Sequence, residues 1–399
     1  MSAAVEQVSA GERLRIAVLA DFDGPHARSW LRWFAARGHD VHAISYYAPR
    51  EPLEGVTLHV LRGGMHHGAD NGVRTRVPSS AGTRSRMPVS LARLVHAARY
   101  AKAGLRGVVR EISPDVLHAH YVVEHGFYGL TAGRHPYVVT AWGSDVLVEP
   151  GRDPISKFIA RRVVRAADLV TSNNRYMAER IVALGASPER VEVVTLGADR
   201  YFTERFEESV NVRQVGADRA PIVLSTRAHE PLYNIEDILD AYAHVARSRP
   251  DLRLVLAHAG SLTQELQRRV ATSPGRVEFR GFLNESSLRD AMTDAEIFVS
   301  VPSSDGTSVA LLQAMAAGCF PIVSDLPTQR ELIEDGVNGF RVPLHDRRVL
   351  AERIRQALAD PGLRRRAAEA NRRIVEERGL NENEMARMER LYLRLAGRA

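Results

Sequence analysis

Short apolar runs alternate with amphipathic stretches along almost the whole chain, and the alternation starts twice. Leu14 to Ala20, Val41 to Tyr46 and Val56 to Leu61 have the continuous apolar pattern of buried strands, and Gly38 stops a helical stretch from Ala27 to Arg37. A helix from Ser90 to Glu111 follows, then strands at Asp115 to Tyr121 and Tyr137 to Thr140, a helix from Ile155 to Ala166, a strand at Leu169 to Thr171, a helix ending at Leu184 and a strand at Val191 to Val194. The polar run from Thr203 to Ala220 reads as a linker. Beyond it the strands are Ile222 to Ser225, Leu252 to Ala257, Val277 to Phe279, Ile297 to Val301 and Phe320 to Val323, with helices at Ile235 to Ala246 and Leu262 to Val270. An alanine- and leucine-rich helix opens at Asp305-Gly306-Thr307-Ser308, and two or three charged helices lie between Arg347 and Ala399. Strands that alternate with helices predict α/β domains with parallel sheets. If the helix is already wound at Asp305, then Asp305 and Gln313 lie about two turns apart on one face and point at one ligand.

Composition allows two separate cores in 399 residues and shows no bias toward disorder, with a mean hydropathy of −0.22. Cys319 is the only cysteine, which excludes an intrachain disulfide and a cysteine-based metal cluster. The first fifteen residues lack the apolar core of a signal peptide, and no apolar run is long enough to cross a bilayer, so the expected location is cytoplasmic, with peripheral attachment at the inner face of the membrane left open. A pI of about 9.6 suits an anionic ligand, an anionic membrane or nucleic acid. Dispersed basic residues without interleaved aromatics argue against nucleic acid. Gly63 to Pro88, with Arg74, Arg76, Arg84 and Arg86, reads as a mobile surface loop. Arg99, Lys102, Arg106 and Arg110 fall on one stripe of the next helix, opposite Leu91, Leu94, Val95 and Ala98, and this reads as a solvated face.

The chemistry-bearing residues collect in the loops that follow strands, where a doubly wound sheet binds its ligands. There is no G-x-G-x-x-G after the first strand, which lowers the case for a dinucleotide. His118 and His120 point the same way along one strand, but Glu124 and His125 do not complete a zinc spacing, so hydrogen bonding is expected and metal is not. Trp142-Gly143-Ser144-Asp145 and Asn173 follow the next strands. In the second half Arg227 is a ready diphosphate partner, Gly281 and Phe282 end a strand, and Asp305 to Ser308 form a polar loop against a helix start.

Together these positions resemble the retaining glycosyltransferases of the GT-B fold, family 4. The resemblance rests on Gly38-His39-x-Val41, Asp115 to His120, Gly143 to Asp145, Leu196 to Phe202, Arg227, Gly281, Asp305 to Gly318, and Glu331 with Gly336 to Gly339. It implies two Rossmann-like domains facing each other across a deep cleft. The acceptor domain would span 1–200, with a final helix at about 376–399 packing back onto it, and the donor domain 201–375. It further implies a hexosyltransferase that takes sugar from a nucleotide diphosphate sugar, UDP-linked in preference to GDP-linked. The acceptor would be a small-molecule, lipid or glycan hydroxyl, and no cofactor or obligatory metal is expected.

By this resemblance His120, Arg227 and Asp305 are catalytic. The donor is held by Arg227, Asn234, Gly281, Phe282, Asp305, Gly306, Thr307, Ser308, Val309 and Gln313, while His26, Trp142, Asp145 and Asn173 border the acceptor. The chain departs from the family in having Asp305 and Gln313 at the two glutamate positions, and Tyr233 or Asn234 where a lysine is usual. Those changes keep open a nucleotide-sugar-binding protein with impaired catalysis; the other alternative is a GT-B nucleotide-sugar epimerase, for which the sequence shows no added set of acid and base residues. The sequence does not specify the oligomeric state.

Overall fold

The computed structural model describes residues 7–9, 11–49, 51–61, 89–215, 219–271 and 274–398. The chain divides into two compact units, Met1–Val194 with Met385–Ala399, and Thr195–Glu384. The reading of Gly63 to Pro88 as a loop lies outside the described residues.

In the first unit β1 (Arg15–Leu19), β2 (Asp40–Ser45), β3 (Val56–Val60), β4 (Val116–His120), β5 (Tyr137–Thr140), β6 (Leu169–Ser172) and β7 (Val191–Val193) form one parallel sheet in the order β3-β2-β1-β4-β5-β6-β7. Every residue of β4, β5 and β6 is buried, as expected for strands covered on both faces. Chain order reverses between β1 and β4, so the loops after these strands diverge and leave a crevice at their carboxyl ends.

The helix Asn381–Leu395 joins this unit through buried polar side chains. Trp30 is wholly buried on the helix Pro25–Ala36, and its indole N–H donates to the Tyr392 hydroxyl at 3.2 Å. Indole is only a donor, so Tyr392 directs its own proton to His118 Nδ1. His118 Nε2–H therefore donates to Thr140 Oγ1 at 2.7 Å, and Thr140 is in turn 2.6 Å from Thr171 Oγ1. Nearby, His39 Nδ1 accepts from the Leu14 N–H at 3.1 Å and its Nε2 meets Glu389 at 2.7 Å, with Arg37 on the same carboxylate.

The basic helix expected from Ser90 to Glu111 is instead two helices, Val89–Lys102 and Leu105–Ile112, separated at Gly104 (φ 89°). Its buried face also differs from the expected one. Ala97 and Tyr100 face the core, where Tyr100 stacks on Tyr128 at 4.7 Å, and Leu91, Leu94 and Ala98 are exposed.

In the second unit β8 (Ile222–Ser225), β9 (Arg253–Ala257), β10 (Arg276–Gly281), β11 (Ile297–Ser300), β12 (Phe320–Ser324) and β13 (Phe340–Val342) form a parallel sheet in the order β10-β9-β8-β11-β12-β13. Here the reversal falls between β8 and β11. The run read as a linker is largely helical, with helices at Tyr201–Glu204 and Phe206–Val215 that bury Phe202 and Phe206 while Glu207 and Glu208 face outward. The helix Glu285–Asp294 was also not expected. Asn284 caps it by accepting from the Ser287 N–H, and it buries only Ala291, Met292 and Thr293, too few positions to give a readable apolar period. Cys319 is a core residue whose thiol contacts the Met292 carbonyl at 3.1 Å.

The three tryptophans, Trp30, Trp33 and Trp142, all lie in the first unit, so indole fluorescence reports its unfolding. Tyr392→Phe leaves Trp30 Nε1 and His118 Nδ1 buried without their partner, and is expected to destabilise this unit by about 2 to 4 kcal/mol in urea titrations followed by that signal. A loss below about 0.5 kcal/mol would show that the hydroxyl is not a junction of buried bonds.

Candidate functional site

A buried polar cluster of the second unit sits at its switch point. Arg227, in the loop after β8, donates to Asp305 in the loop after β11 at 2.8 Å, and also to Ser308 Oγ. The two side chains are 11% and 17% exposed, so the pair is largely removed from water. Tyr233 lies beneath the guanidinium, with 4.4 Å from Cζ to the ring centroid. Burial pushes the Asp305 carboxyl above the usual carboxylate range, against the opposing pull of Arg227 and the Gly306 N–H.

The helix Val309–Ala316 begins after this loop and not within it. Ser308 is its N-cap, with Oγ accepting from the Leu311 N–H at 3.3 Å. Asp305 and Gln313 therefore do not share a helical face, contrary to the expectation for a helix wound from Asp305. Asp305 belongs to a loop braced from elsewhere: Thr328 Oγ1 donates to the Asp305 carbonyl at 2.9 Å and Gln329 Nε2 to the Gly306 carbonyl at 3.3 Å. Gln313 lies one turn into the helix and is partly exposed.

Several buried side-chain atoms around this loop pair have no protein hydrogen-bond partner: Ser225 Oγ, Thr226 Oγ1, Arg227 Nε and Gln329 Oε1. Buried polar atoms are normally paired, so these four are open to a water or a polar ligand. Asn234 has a different task. At φ 50° it donates to the Val301 carbonyl and to Ser303 Oγ at 2.8 and 2.9 Å, stitching the two loops together. Neither Tyr233 nor Asn234 brings a second cation beside Arg227.

The other expected donor residues are more peripheral in this unit. Gly281 ends β10 at φ 62°, where an L side chain is strained, and its carbonyl accepts from the His258 N–H at 2.5 Å. Phe282 is 72% exposed and its ring lies 4.4 Å from that of His258. His258 is absent from the sequence-based set; burial and, less strongly, the nearby Arg227 charge lower its imidazole pKa against the opposing hydrogen bond to the Ala259 carbonyl.

In the first unit His120 ends β4 beside Trp30 and Trp142, with ring centroids at 5.2 and 5.4 Å. His118 and His120 do share a side of the strand, 4.6 Å apart, but only His118 has both nitrogens bonded by protein groups. His120 Nε2 is buried without a protein partner. Burial lowers His118 to about 3 and His120 well below the usual histidine value, so both are neutral. The chain turns abruptly after His120: Tyr121 has φ 76°, a left-handed conformation that is costly for a non-glycine residue and a pointer to function.

Asp145 is wholly buried and holds the loop after β5. It accepts from the N–H groups of Gly143 and Val122 at 2.8 Å and of Trp142 at 3.0 Å, with Gly143 at φ 145°, ψ −87°. Both oxygens are thus engaged by backbone, and the loop rather than the carboxylate presents Trp142. His26 stacks on Trp142 at 5.0 Å, and Asn173 Nδ2 reaches the Trp142 carbonyl at 3.4 Å. The four residues expected on the acceptor side come together around one indole. Among the described residues no group of three or more His, Cys, Asp or Glu side chains is arranged to hold a metal ion.

Ser225, Thr226, Thr328 and Gln329 were not singled out from the sequence. Ser225 and Thr226 could have been found as polar residues ending an apolar strand, whereas Thr328 and Gln329 follow β12 and reach the loop only through the fold.

Two family models match the chain: glycosyl transferases group 1 over residues 209–374 and the glycosyl transferase 4-like domain over residues 24–197. The chain is 27% identical over 231 residues to an alpha-D-kanosaminyltransferase of Streptomyces kanamyceticus, covering 56% of this chain and 59% of that protein. It is 29% identical over 295 residues to a D-inositol 3-phosphate glycosyltransferase of Kribbella flavida, covering 66% and 68%. Among solved structures, Anabaena Alr3699/HepE in complex with UDP-glucose superposes with a TM-score of 0.69 at 15% identity, covering 94% of this chain and 98% of that one, which is a likeness of fold.

The buried groups of the first unit give its stability a defined pH dependence. Neutral His118 and His120 contribute fully above the unfolded value of about 6.5, and each loses about 1.4 kcal/mol per pH unit below it. Asp145, raised by burial to about 6, acts in the opposite sense and offsets part of the loss only below that pH. Urea midpoints followed by indole fluorescence are expected to fall from pH 7.5 to 5.5, beginning near 6.5. A flat profile would contradict burial of the neutral imidazoles.

Proposed function

The chain belongs to the group 1 glycosyltransferases, and from that premise we propose that it moves a sugar from a UDP-sugar to a hydroxyl acceptor with retention of anomeric configuration. The observation that carries this reading is the buried Arg227–Asp305 pair at the switch point of the second sheet, surrounded by polar atoms without partners. A diphosphate competes for Arg227 and frees Asp305 to accept from a sugar hydroxyl. The UDP-glucose held by the HepE structure favours uridine in the donor.

As the bond from the anomeric carbon to the diphosphate breaks, its electron pair goes to the departing phosphate oxygen. Arg227 and the N–H groups opening the helix Val309–Ala316 stabilise that charge without reorganising. The acceptor oxygen bonds to the same face of the anomeric carbon, and its proton passes to the departing phosphate. We assign His120 a positioning role toward a sugar hydroxyl through its unpartnered Nε2, which needs a neutral ring. His26 and Trp142 present the acceptor-side surface. A small-molecule, lipid or glycan acceptor fits this reading, and no metal is assigned a role.

The substitutions favour one competing reading, a protein that binds nucleotide sugars without turnover. Thermal-shift measurements with UDP-, GDP- and ADP-sugars, followed by donor hydrolysis assays, separate the two: the proposal expects a melting-temperature rise with a UDP-sugar together with slow hydrolysis. A shift without any hydrolysis supports the binding protein, and no shift with any donor sinks both.

Gln313→Glu tests the neutral position. Restoring a charge-assisted bond to a ribose hydroxyl is expected to tighten donor binding about five- to tenfold in calorimetric titration. Unchanged or weaker binding would remove Gln313 from the donor site.

A further inference from the structure

We propose that the helix Pro154–Ala166 docks the first unit on an anionic phospholipid surface, a role independent of the transfer reaction. Its inner face buries Ser156, Ile159, Ala160, Val163 and Val164 against the core. The outer face carries Phe158, 64% exposed, and Ile155, 39% exposed, at a spacing of three residues that puts them side by side. Lys157, Arg161, Arg162 and Arg165 are exposed around this pair, and the helix has no carboxylate. Among the described residues none of these four cations is in an ion pair, whereas neighbouring Arg152 is neutralised by Glu149 at 2.8 Å.

An exposed apolar side chain alone needs no explanation. Two adjoining ones set among four unneutralised cations have the composition of a helix that lies in a membrane interface, with apolar groups below the headgroups and cations among the phosphates. A second copy of the chain would bring two positive faces together, and a nucleic-acid backbone would leave Phe158 and Ile155 without apolar surroundings. The lipid surface satisfies both halves of the pattern. The helix starts on the side of the sheet from which the loop after β5 emerges, so the apolar pair lies toward the same end of this unit as Trp142.

The test is cosedimentation with phosphatidylcholine vesicles, with and without about 30% phosphatidylglycerol. Wild-type protein is expected to bind the anionic vesicles and not the neutral ones. Ile155→Ser with Phe158→Ser should lower binding about tenfold or more, and Arg161→Glu with Arg162→Glu should abolish its salt-sensitive part. Unchanged indole-fluorescence melts confirm that the exposed substitutions leave the fold intact. The proposal is overturned if wild type stays in the supernatant with anionic vesicles, or if the serine variant binds like wild type. It is also overturned if light scattering shows that the serine variant dissociates a dimer, or if RNA binding is what the variants lose.

Discussion

The ion pair between Arg227 and Asp305 joins the loops that diverge from β8 and β11, and the arrangement of the second unit's polar crevice follows from it. A buried ion pair is poor evidence of stability for its own sake, because desolvation opposes the attraction. Here the geometry has another use. Arg227 bonds with its two terminal nitrogens to Asp305 and Ser308 and rests on Tyr233, while its Nε has no protein partner. The guanidinium is held in place yet keeps a donor for a ligand. Asn234, Thr328 and Gln329 fix the surrounding backbone, so a bound anion would meet a preformed cradle.

The first unit separates structure from chemistry on a single strand. His118 and His120 differ by two residues and share an environment of indoles, yet one is locked between Tyr392 and Thr140 and the other keeps Nε2 without a protein partner. Burial holds both neutral, which suits hydrogen bonding to hydroxyls better than general-base work near neutral pH. Asp145 follows the same division, since its charge serves the backbone of the loop that carries Trp142.

Two parallel α/β halves were legible from the strand runs alone, because continuous apolar stretches ended by polar loops leave few other architectures. Arg227, Asp305 and Ser308 were legible as chemistry, and the structure joins them although about eighty residues separate the first from the other two. Less visible were features whose signal is not local. The helices within 201–215 have few apolar positions to set a period, and Gly104 divides a basic stretch that reads as continuous. The left-handed His258 and Tyr121 carry no local warning, because their conformations are imposed by the strands they end. Gln313 was placed correctly on a helix, but the cap at Ser308 leaves Asp305 outside it.

The claim on which this account depends is that Arg227 is the diphosphate contact of a nucleotide-sugar site. Calorimetric titration of UDP into the wild-type chain and into Arg227→Ala, with circular dichroism confirming that both are folded, tests it most directly. Saturable binding by wild type and a loss of about tenfold or more in the variant is the predicted result. Equal affinity in the two folded proteins would contradict it.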